Sequence, residues 1–355
     1  MTTLYLDRNE NQYGPAPSCY RVLREARLEQ LSLYSRSYMR GKKSELSERL
    51  STDLGIPEKQ ILLSYGSEDM LKQVVHCYLH RDEVILLPNQ SWWYYKSVAK
   101  EVFGREEHYS IRERNGRFEH DEEEILRLYD LHRPRVILIA SPNNPTGNSL
   151  SPEALDHIVD HCASSIIVLD EAYHGFAGNG TSHPGKLLAR HDRLLVLRTF
   201  SKYYALAGLR IGYACAGEDL EQLVTFSARY LGYNQLSEKI ALAALDEPDY
   251  YTSMATAMHQ DMLRYTRELA TIEGFTPFRS DANFLLVRYP VDRKREMKEG
   301  LERAGIIVKF LDDPGLEDCI RITIGTSEQN TRVIDAFKEV AARRLHLSVM
   351  NPENA

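Results

Sequence analysis

The chain has 355 residues, and its 44 lysines and arginines against 51 aspartates and glutamates give a formal net charge of −7. This length allows two domains of ordinary size around a large hydrophobic core, which excludes a small scaffold held by disulfides. The acidic balance argues against a nucleic-acid-binding protein, so we expect a small-molecule partner, although a local basic patch can exist within an acidic total.

The N-terminal segment has the sequence MTTLYLDRNENQYG, which lacks the basic start and apolar stretch of a targeting signal. No window of the sequence approaches the roughly 20 apolar residues that span a bilayer. The five cysteines are scattered and form no Cys-x-x-Cys pair, so we expect neither a disulfide framework nor a metal site. The sequence therefore predicts a soluble cytoplasmic protein without a membrane partner.

Four short apolar runs in the middle of the chain predict buried strands of a mostly parallel sheet. They occupy residues 84–87, 136–140, 166–169 and 194–197. Helical patterns at 68–79 and 152–162 lie between them, the second with Ser151 as a candidate N-cap and Pro152 at its first position. This alternation is typical of an α/β domain.

The pattern changes at Asp246, where a long charged helical stretch begins that runs through Leu269. Segments read as alternating strands follow at 283–288 and 320–324, separated by helices. We therefore predict a smaller α+β domain at 251–355, a large cofactor-binding domain at 34–250, and an N-terminal arm at 1–33 that joins the small domain and covers the active site. No Gly/Ser linker is present, so the domains should pack closely.

Polar residues follow the apolar runs, at the strand ends where open α/β sheets bind ligands. The segments are SPNNPTG, DEAY and RTFSKYYALAGLR, which bring Asn144, Asp170 and Lys202 to one edge of the sheet. Asp170 could equally cap the next helix or form a buried ion pair, and Lys202 could simply lie on a surface loop. A lysine enclosed at such an edge would instead lose proton affinity and become an amine nucleophile.

Two further segments predict a phosphate site. The hydroxyls of Thr199 and Ser201 and the guanidinium of Arg210 could hold a dianion. Gly66 allows a turn before a helix that starts near Ser67, whose free backbone N–H groups also favour an anion. Many helices begin this way without a ligand, so the helix start gains weight only beside the other three residues.

Together these pieces fit a cofactor with a phosphate, a basic ring nitrogen and an aldehyde, which is pyridoxal phosphate. Lys202 would form the Schiff base, and Asp170 would keep the ring nitrogen protonated. Asn144 and Tyr173 would hydrogen-bond the ring oxygen. Trp92 is the preferred stacking residue on the ring, and core packing is the other interpretation of this aromatic cluster.

These motifs resemble histidinol-phosphate aminotransferase and its relatives among the fold-type-I pyridoxal phosphate enzymes. The resemblance covers about Arg8 to Thr326 and rests on RNENQYG, YGSED, SPNNPTGN, VLDEAYHGF, RTFSKYYALAGLRIGY, GYNQLS, ANFLLVR, GIIVK and IRITIGT, in this order. It implies an aminotransferase that passes an amino group from an amino acid or related amine to a 2-oxo acid. It also implies a homodimer with shared active sites.

The resemblance assigns a role to each candidate residue. The implied catalytic residues are Lys202, Asp170 and Tyr173. The implied cofactor-binding residues are Ser67 and Glu68 through their backbone amides, Trp92 with Trp93 as the alternate, Asn144, Asp170, Tyr173, Thr199, Ser201, Lys202 and Arg210. The implied substrate-binding residues are Tyr13, Asn144 and Arg321, of which Arg321 would clamp a carboxylate. A tyrosine from the partner subunit, Tyr38 or alternatively Tyr34, would reach the cofactor phosphate.

Three departures from the family's motifs leave the substrate open. Gln12 and Gly232 each replace a proline, and Lys309 replaces an arginine. The nearest alternative function keeps the cofactor but removes a carboxylate, as in decarboxylases of phosphothreonine. A specialised-metabolism enzyme of the same fold is the other alternative. A cofactor-free binding protein would have no need for the whole set of site residues. A dehydrogenase is disfavoured because no G-x-G-x-x-G follows the first strands.

Overall fold

The computed structural model describes residues 2–37, 39, 41, 43–178 and 182–350. Its strands are β1 (Leu4–Leu6), β2 (Ile61–Ser64), β3 (Val84–Pro88), β4 (Arg105–Tyr109), β5 (Ile111–Arg114), β6 (Arg117–His120), β7 (Val136–Ala140), β8 (Ile166–Asp170), β9 (Leu194–Thr199), β10 (Gly212–Ala216), β11 (Thr276–Pro277), β12 (Phe284–Arg288), β13 (Ile306–Phe310) and β14 (Cys319–Thr323). The four strands predicted from apolar runs are all present, as β3, β7, β8 and β9.

The helices are α1 (Pro17–Glu25), α2 (Glu45–Leu54), α3 (Ser67–Tyr78), α4 (Tyr94–Glu101), α5 (Glu122–His132), α6 (Pro152–His161), α7 (Pro184–Leu188), α8 (Glu221–Phe226), α9 (Gln235–Leu245), α10 (Pro248–Leu269), α11 (Lys294–Arg303) and α12 (Ser327–Met350). Helix α6 starts as predicted, because Ser151 Oγ accepts the backbone N–H of Ala154 at 3.1 Å. In the part of the chain that is described, no helix combines the length and the apolar character needed to cross a membrane.

A seven-stranded sheet forms the centre of the molecule, with strand order β2-β10-β9-β8-β7-β3-β4. Strand β10 runs antiparallel to both of its neighbours, whereas the run from β9 to β4 is parallel throughout. Every residue of β3, β7, β8 and β9 is buried, which explains why these strands are apolar without alternation. The predicted fold class, a mostly parallel α/β sheet, is confirmed.

A second sheet of five strands has the order β1-β13-β14-β12-β11 and is antiparallel except for the β1–β13 pair. The alternation expected for 283–288 is wrong, because residues 284–287 of β12 are all buried. One face of β12 is covered by residues next to the central sheet. The ring centroid of Phe284 in β12 lies 5.2 Å from that of Tyr173, which follows β8. This contact brings the second sheet to the edge that carries the predicted site.

The N-terminal segment joins the two sheets. Strand β1 pairs with β13 in the five-stranded sheet, whereas α1 packs on α9, with Ser18 Oγ donating to the carbonyl of Ala243 at 3.0 Å. This path fits an arm that contributes to the small domain. The boundaries 1–33, 34–250 and 251–355 themselves stay predictions.

Candidate active site

The carboxyl ends of β7, β8 and β9 lie side by side. Ala140 is opposite Asp170, and Asp170 is opposite Leu197, in the parallel register of the three strands. The segments that leave these strand ends carry Asn144 and Lys202. The three polar segments therefore all leave the sheet at the same edge, as the sequence predicts.

Lys202 is a half-buried amine held by the N-terminal arm. Its Nζ donates to the carbonyl oxygen of Arg8 at 2.9 Å and lies 5.9 Å from the centroid of the Tyr173 ring. Burial, followed by the positive charges of Arg321 and Arg210, lowers the pKa of Lys202 to about 8. About a tenth of this amine is therefore neutral, and nucleophilic, near pH 7.

Asp170 ends β8 as a buried carboxylate with two hydrogen bonds. Its Oδ2 accepts the hydroxyl of Tyr95 at 2.8 Å, and its Oδ1 accepts the backbone N–H of Ala172 at 3.0 Å. Burial raises the pKa of the Asp170 carboxyl, and the hydroxyl of Tyr95 opposes that shift. A carboxylate so placed is suited to pair with a cationic ring N–H.

Tyr173 is fixed by the arm and by the second sheet. Asn9 Nδ2 donates to the Tyr173 hydroxyl at 2.8 Å. Asn9 is itself anchored, since its backbone N–H donates to Thr323 Oγ1 at 3.0 Å and its carbonyl accepts Asn283 Nδ2 at 3.1 Å. Because Asn9 supplies the donor, the proton of the Tyr173 hydroxyl remains available for another acceptor.

Arg321 lies in β14 and meets Asn144 from the central sheet. One of its terminal nitrogens donates to Asn144 Oδ1, and the other donates to the carbonyl oxygen of Asp7 at 2.6 Å. The remaining Nε is buried without a hydrogen-bond partner. Burial lowers the pKa of this guanidinium. A buried donor without a partner is costly, so the arrangement favours an anionic ligand.

The predicted phosphate residues also come together. The Thr199 hydroxyl donates to Ser201 Oγ at 2.9 Å, and Arg210 Nη1 lies 3.5 Å from the same Ser201 oxygen. Arg210 Nη2 reaches Glu68 Oε2 at 3.3 Å and the carbonyl of Tyr65 at 3.4 Å. The guanidinium thus lies beside the start of α3.

Gly66 leaves room for this cradle. Its φ is +85°, and a Cβ at this position would lie 2.7 Å from Arg210 Nη2. The start of α3 also has no side-chain cap, so its first backbone N–H groups favour an anionic ligand. The residues present therefore fit the phosphate group of pyridoxal phosphate.

The two tryptophans differ in environment. Trp92 is half-buried, whereas the Trp93 side chain is 66% exposed. The Trp92 ring centroid lies 5.9 Å from that of Tyr95, whose hydroxyl holds Asp170. This link to Asp170 favours Trp92 over Trp93 as the residue beside the cofactor ring, and its stacking role stays a prediction.

Tyr13 and the dimer tyrosines are the predicted residues that the structure does not join to the others. The Tyr13 hydroxyl bonds Ser327, at the start of α12, and burial raises its pKa. Tyr34 is 71% exposed and lines a surface cavity of about 490 Å³ beside Tyr65. Tyr38 lies outside the described residues. The roles assigned to these tyrosines stay predictions.

Sequence reasoning missed the contacts made by the arm and by Tyr95. In the arm, the carbonyl of Asp7 accepts from Arg321 and that of Arg8 accepts from Lys202. The side-chain amides of Asn9 and Asn11 donate to the Tyr173 hydroxyl and to the Lys202 carbonyl, the second at 3.2 Å. The polar run RNEN was the one feature of the sequence that could have indicated the contacts of the arm. In the WWYY cluster, no local pattern distinguishes Tyr95 from its neighbours.

An enclosed lysine and a buried aspartate at the carboxyl edge of a parallel sheet, beside an anion cradle, place the molecule in the class of fold-type-I pyridoxal phosphate enzymes. The chain belongs to the family described as aminotransferase class I and II, which matches residues 3–337. This membership confirms that the protein is a transferase enzyme, and it confirms the predicted cofactor, pyridoxal phosphate.

Individual relatives agree with this assignment. The chain is 32% identical, over 93% of its length and 90% of the other protein, to a histidinol-phosphate aminotransferase of Ruminiclostridium cellulolyticum. The crystal structure of the Sinorhizobium meliloti histidinol-phosphate aminotransferase with pyridoxal-5'-phosphate has a TM-score of 0.86 at 23% identity, covering 96% of this chain and 92% of that one. The L-threonine-O-3-phosphate decarboxylase of Porphyromonas gingivalis has a TM-score of 0.79 at 20% identity, covering 95% and 98%. These two structures share the fold.

Proposed function

We propose that Lys202 is the catalytic amine of this aminotransferase, which transfers an amino group from an anionic amino donor to a 2-oxo acid. The observation that carries this proposal is the amine itself. It is enclosed, its pKa is lowered to about 8, and the Tyr173 ring and the positive charge of Arg321 lie near it. When bound, pyridoxal phosphate supplies an electrophilic carbon and an electron-accepting ring.

The other residues bind, orient and move protons. Asp170 would hold a proton on the ring nitrogen, and Tyr173 with Asn144 would orient the ring through its oxygen. The N–H groups at the start of α3, with Thr199, Ser201 and Arg210, would hold the phosphate. The Lys202 amine, when it is not bonded to the cofactor, would accept the proton from the substrate Cα and return it during transfer.

A second cation supports a substrate with a further anionic group. Lys309 in β13 is directly opposite Arg321 in β14, and residues opposite each other in a sheet point to the same face. Arg321 would bind one anionic group, and Lys309 would attract another. An acidic amino acid fits this pair with its two carboxylates, whereas a phosphorylated amine such as histidinol phosphate, named for the relatives above, would bring a single phosphate dianion to both cations.

A decarboxylase of a phosphorylated amino acid is the second candidate. The observation that favours it is the same pair of cations, which would also hold the carboxylate and phosphate of phosphothreonine. Which bond at Cα breaks depends on its angle to the ring. The two functions therefore differ in product, since a decarboxylase releases carbon dioxide and needs no 2-oxo acid.

The test is a panel of amino donors mixed with the holoenzyme while its visible spectrum is followed. The panel compares histidinol phosphate, phosphothreonine and glutamate with histidinol, threonine and glutamine, which lack the phosphate or the side-chain carboxylate. We expect the member of each pair that carries this additional anionic group to change the spectrum at lower concentration. Lys309→Gln should reduce this preference, whereas Lys298→Gln on α11 serves as the control. Equal response to the two members of every pair would contradict the proposed substrate class.

We further propose that the chain acts as a homodimer whose partner covers the cavity beside Tyr65. Exposed apolar side chains surround this cavity, namely Leu31, Leu33, Tyr34 and Leu231. The carbonyl of Tyr65 also contacts Arg210 of the phosphate cradle, so a partner seated here would complete the site. Sedimentation should show a dimer that Leu33→Asp dissociates and Leu131→Asp, an exposed leucine of α5, leaves intact. A monomeric wild-type protein would contradict this proposal.

The location in the cell is also a proposal. The five cysteines are all free and buried, which suits a reducing compartment such as the cytoplasm. Fractionation of the native host would test it, and recovery of the protein outside the cytoplasm would overturn it.

A further inference from the structure

The Tyr95 hydroxyl is bonded to the carboxylate that the proposed function places on the cofactor ring. Tyr95 lies in the first turn of α4, is 3% exposed, and donates to Asp170 Oδ2 at 2.8 Å. The two residues are 75 positions apart, so this contact exists only in the folded chain. It has no part in the roles assigned above.

The proton of this hydrogen bond belongs to the tyrosine. Burial and the nearby Asp170 charge raise the pKa of Tyr95 well above its ordinary value. Burial also raises the pKa of Asp170, but from a much lower starting value. The phenol therefore stays protonated and donates, while the carboxylate accepts.

In the described part of the chain, the Tyr95 hydroxyl is the hydrogen-bond donor to Asp170 Oδ2. Among the residues that the structure describes, no ion pair to Asp170 is present; its neighbour Glu171 is paired with Arg198 at 2.8 Å, and Tyr173 accepts from Asn9. The Ala172 N–H bonds Oδ1. Each carboxylate oxygen retains a second lone pair, so both bonds can persist while Asp170 accepts a ring N–H.

The position of Tyr95 is also well defined. Its backbone N–H donates to the carbonyl of Trp92 at 3.1 Å, and the two rings meet edge to face with centroids 5.9 Å apart. The residue predicted to stack on the ring and the residue that holds the ring's carboxylate thus belong to one turn of chain. A buried tyrosine has only two side-chain torsions to fix, which makes it an effective rigid donor.

We propose that Tyr95 is a positioning residue that acts through Asp170, fixing the carboxylate and reducing its basicity so that the shared proton stays on the ring nitrogen. This inference rests on the proposed role of Asp170. A hydrogen bond that stabilises a carboxylate makes it a weaker base. Without it, the proton would move toward Asp170, and the ring would carry less positive charge and draw electrons less strongly.

The test is a pH titration of the visible absorption of the holoenzyme. This absorption reports the protonation of the nitrogen that links Lys202 to the cofactor. A less positive ring withdraws fewer electrons from that nitrogen, so Tyr95→Phe should move the titration upward by about half a pH unit, which is a fraction of what one hydrogen bond to a charged group contributes. Tyr109→Phe is the matched control, since Tyr109 is equally buried but donates to the carbonyl of Leu138 at 3.2 Å. Its titration should match that of the wild type.

A second substitution tests the sign without emptying the position. Replacing Tyr95 with 3-fluorotyrosine makes the hydroxyl a stronger donor, so the titration should move downward, opposite to Tyr95→Phe. This variant also serves if Tyr95→Phe fails to fold. A titration unchanged in the fluorinated protein, or moved in the same direction by both substitutions, would overturn the inference. A wild-type protein that takes up no cofactor would instead overturn the proposed function.

Discussion

The Nζ atom of Lys202 donates a hydrogen bond to the carbonyl oxygen of Arg8, 194 residues away in the chain, at 2.9 Å. A neutral amine has two N–H bonds and one lone pair, so it can keep this bond while its lone pair points elsewhere. The N-terminal arm therefore orients the amine. This pair connects the arm to the chemistry of the site.

The lowered pKa of Lys202 predicts a pH dependence for cofactor uptake. Only the neutral amine is nucleophilic, so the rate at which apoprotein captures pyridoxal phosphate should rise as pH passes through about 8. Arg321 contributes a positive charge that lowers this pKa. Arg321→Gln should therefore move the midpoint to higher pH, measured by stopped-flow absorbance. Arg288→Gln is the control, and an unmoved midpoint in Arg321→Gln would contradict the assignment.

Lys202→Ala should abolish covalent retention of the cofactor. After borohydride reduction, wild-type protein should keep the cofactor mass in a denaturing mass spectrum, whereas the variant should lose it. Lys294→Ala, which removes a surface amine paired with Asp312 at 2.7 Å, should behave like the wild type. Cofactor mass retained by Lys202→Ala would show that another amine forms the bond.

Arg321→Lys should weaken substrate use while leaving cofactor binding intact. A lysine keeps the charge but cannot reproduce the fixed fork that holds Asn144 and an anionic substrate together. We expect kcat/KM to fall roughly 10- to 100-fold, equivalent to about 1.4–2.7 kcal/mol. Arg288→Lys on β12 provides the comparison. Steady-state rates equal to those of the wild type would remove Arg321 from substrate binding.

Gly66→Ala tests the phosphate cradle. The added Cβ would meet Arg210 Nη2 at 2.7 Å, at a backbone φ of +85°. Gly116→Ala also places a side chain at a positive φ, of +74°, but its Cβ would meet open space, so it is the comparison without a contact to Arg210. Equilibrium titration should therefore show roughly tenfold weaker cofactor binding, about 1.4 kcal/mol, for Gly66→Ala alone. Equal affinities in the two variants would show that Gly66 does not shape the cradle.

The buried ion pair between Glu171 and Arg198 predicts a large effect on stability. Their side chains are 4% and 7% exposed and 2.8 Å apart, so Glu171→Gln leaves a buried guanidinium without its counterion. The free energy of unfolding should fall by about 3 kcal/mol. Asp219→Asn, which breaks the exposed Arg193 pair at 3.1 Å, should cost under about 1 kcal/mol. Similar denaturation curves for both variants would contradict this reading of the pair.

The parallel sheet could be predicted because each central strand is buried on both faces. Val136–Ala140 and its neighbours are therefore continuous apolar runs, which are visible without any tertiary information. The prediction of an alternating strand at 283–288 was wrong, since residues 284–287 of β12 are all buried. Contacts with a distant part of the chain bury them. One such contact is that of Phe284 with Tyr173.

The strand-end residues of the site were predictable for a similar reason, since Asp170 ends the apolar strand β8 and Lys202 lies three residues after the end of β9. Asn9 and Tyr95 were not predictable in their present roles. Asn9 reaches Tyr173 across 164 residues, and Tyr95 reaches Asp170 across 75. Only the folded chain shows which polar atoms of such segments meet.

The most direct test of the central claim is a single half-reaction without a 2-oxo acid. Holoenzyme is mixed with the best anionic amine of the panel, and the oxo product, carbon dioxide and visible spectrum are measured together. We expect about one oxo product per active site, no carbon dioxide, and a loss of the original absorption that a 2-oxo acid restores. Continued turnover with release of carbon dioxide and no need for an acceptor would contradict amino transfer as the reaction of this enzyme.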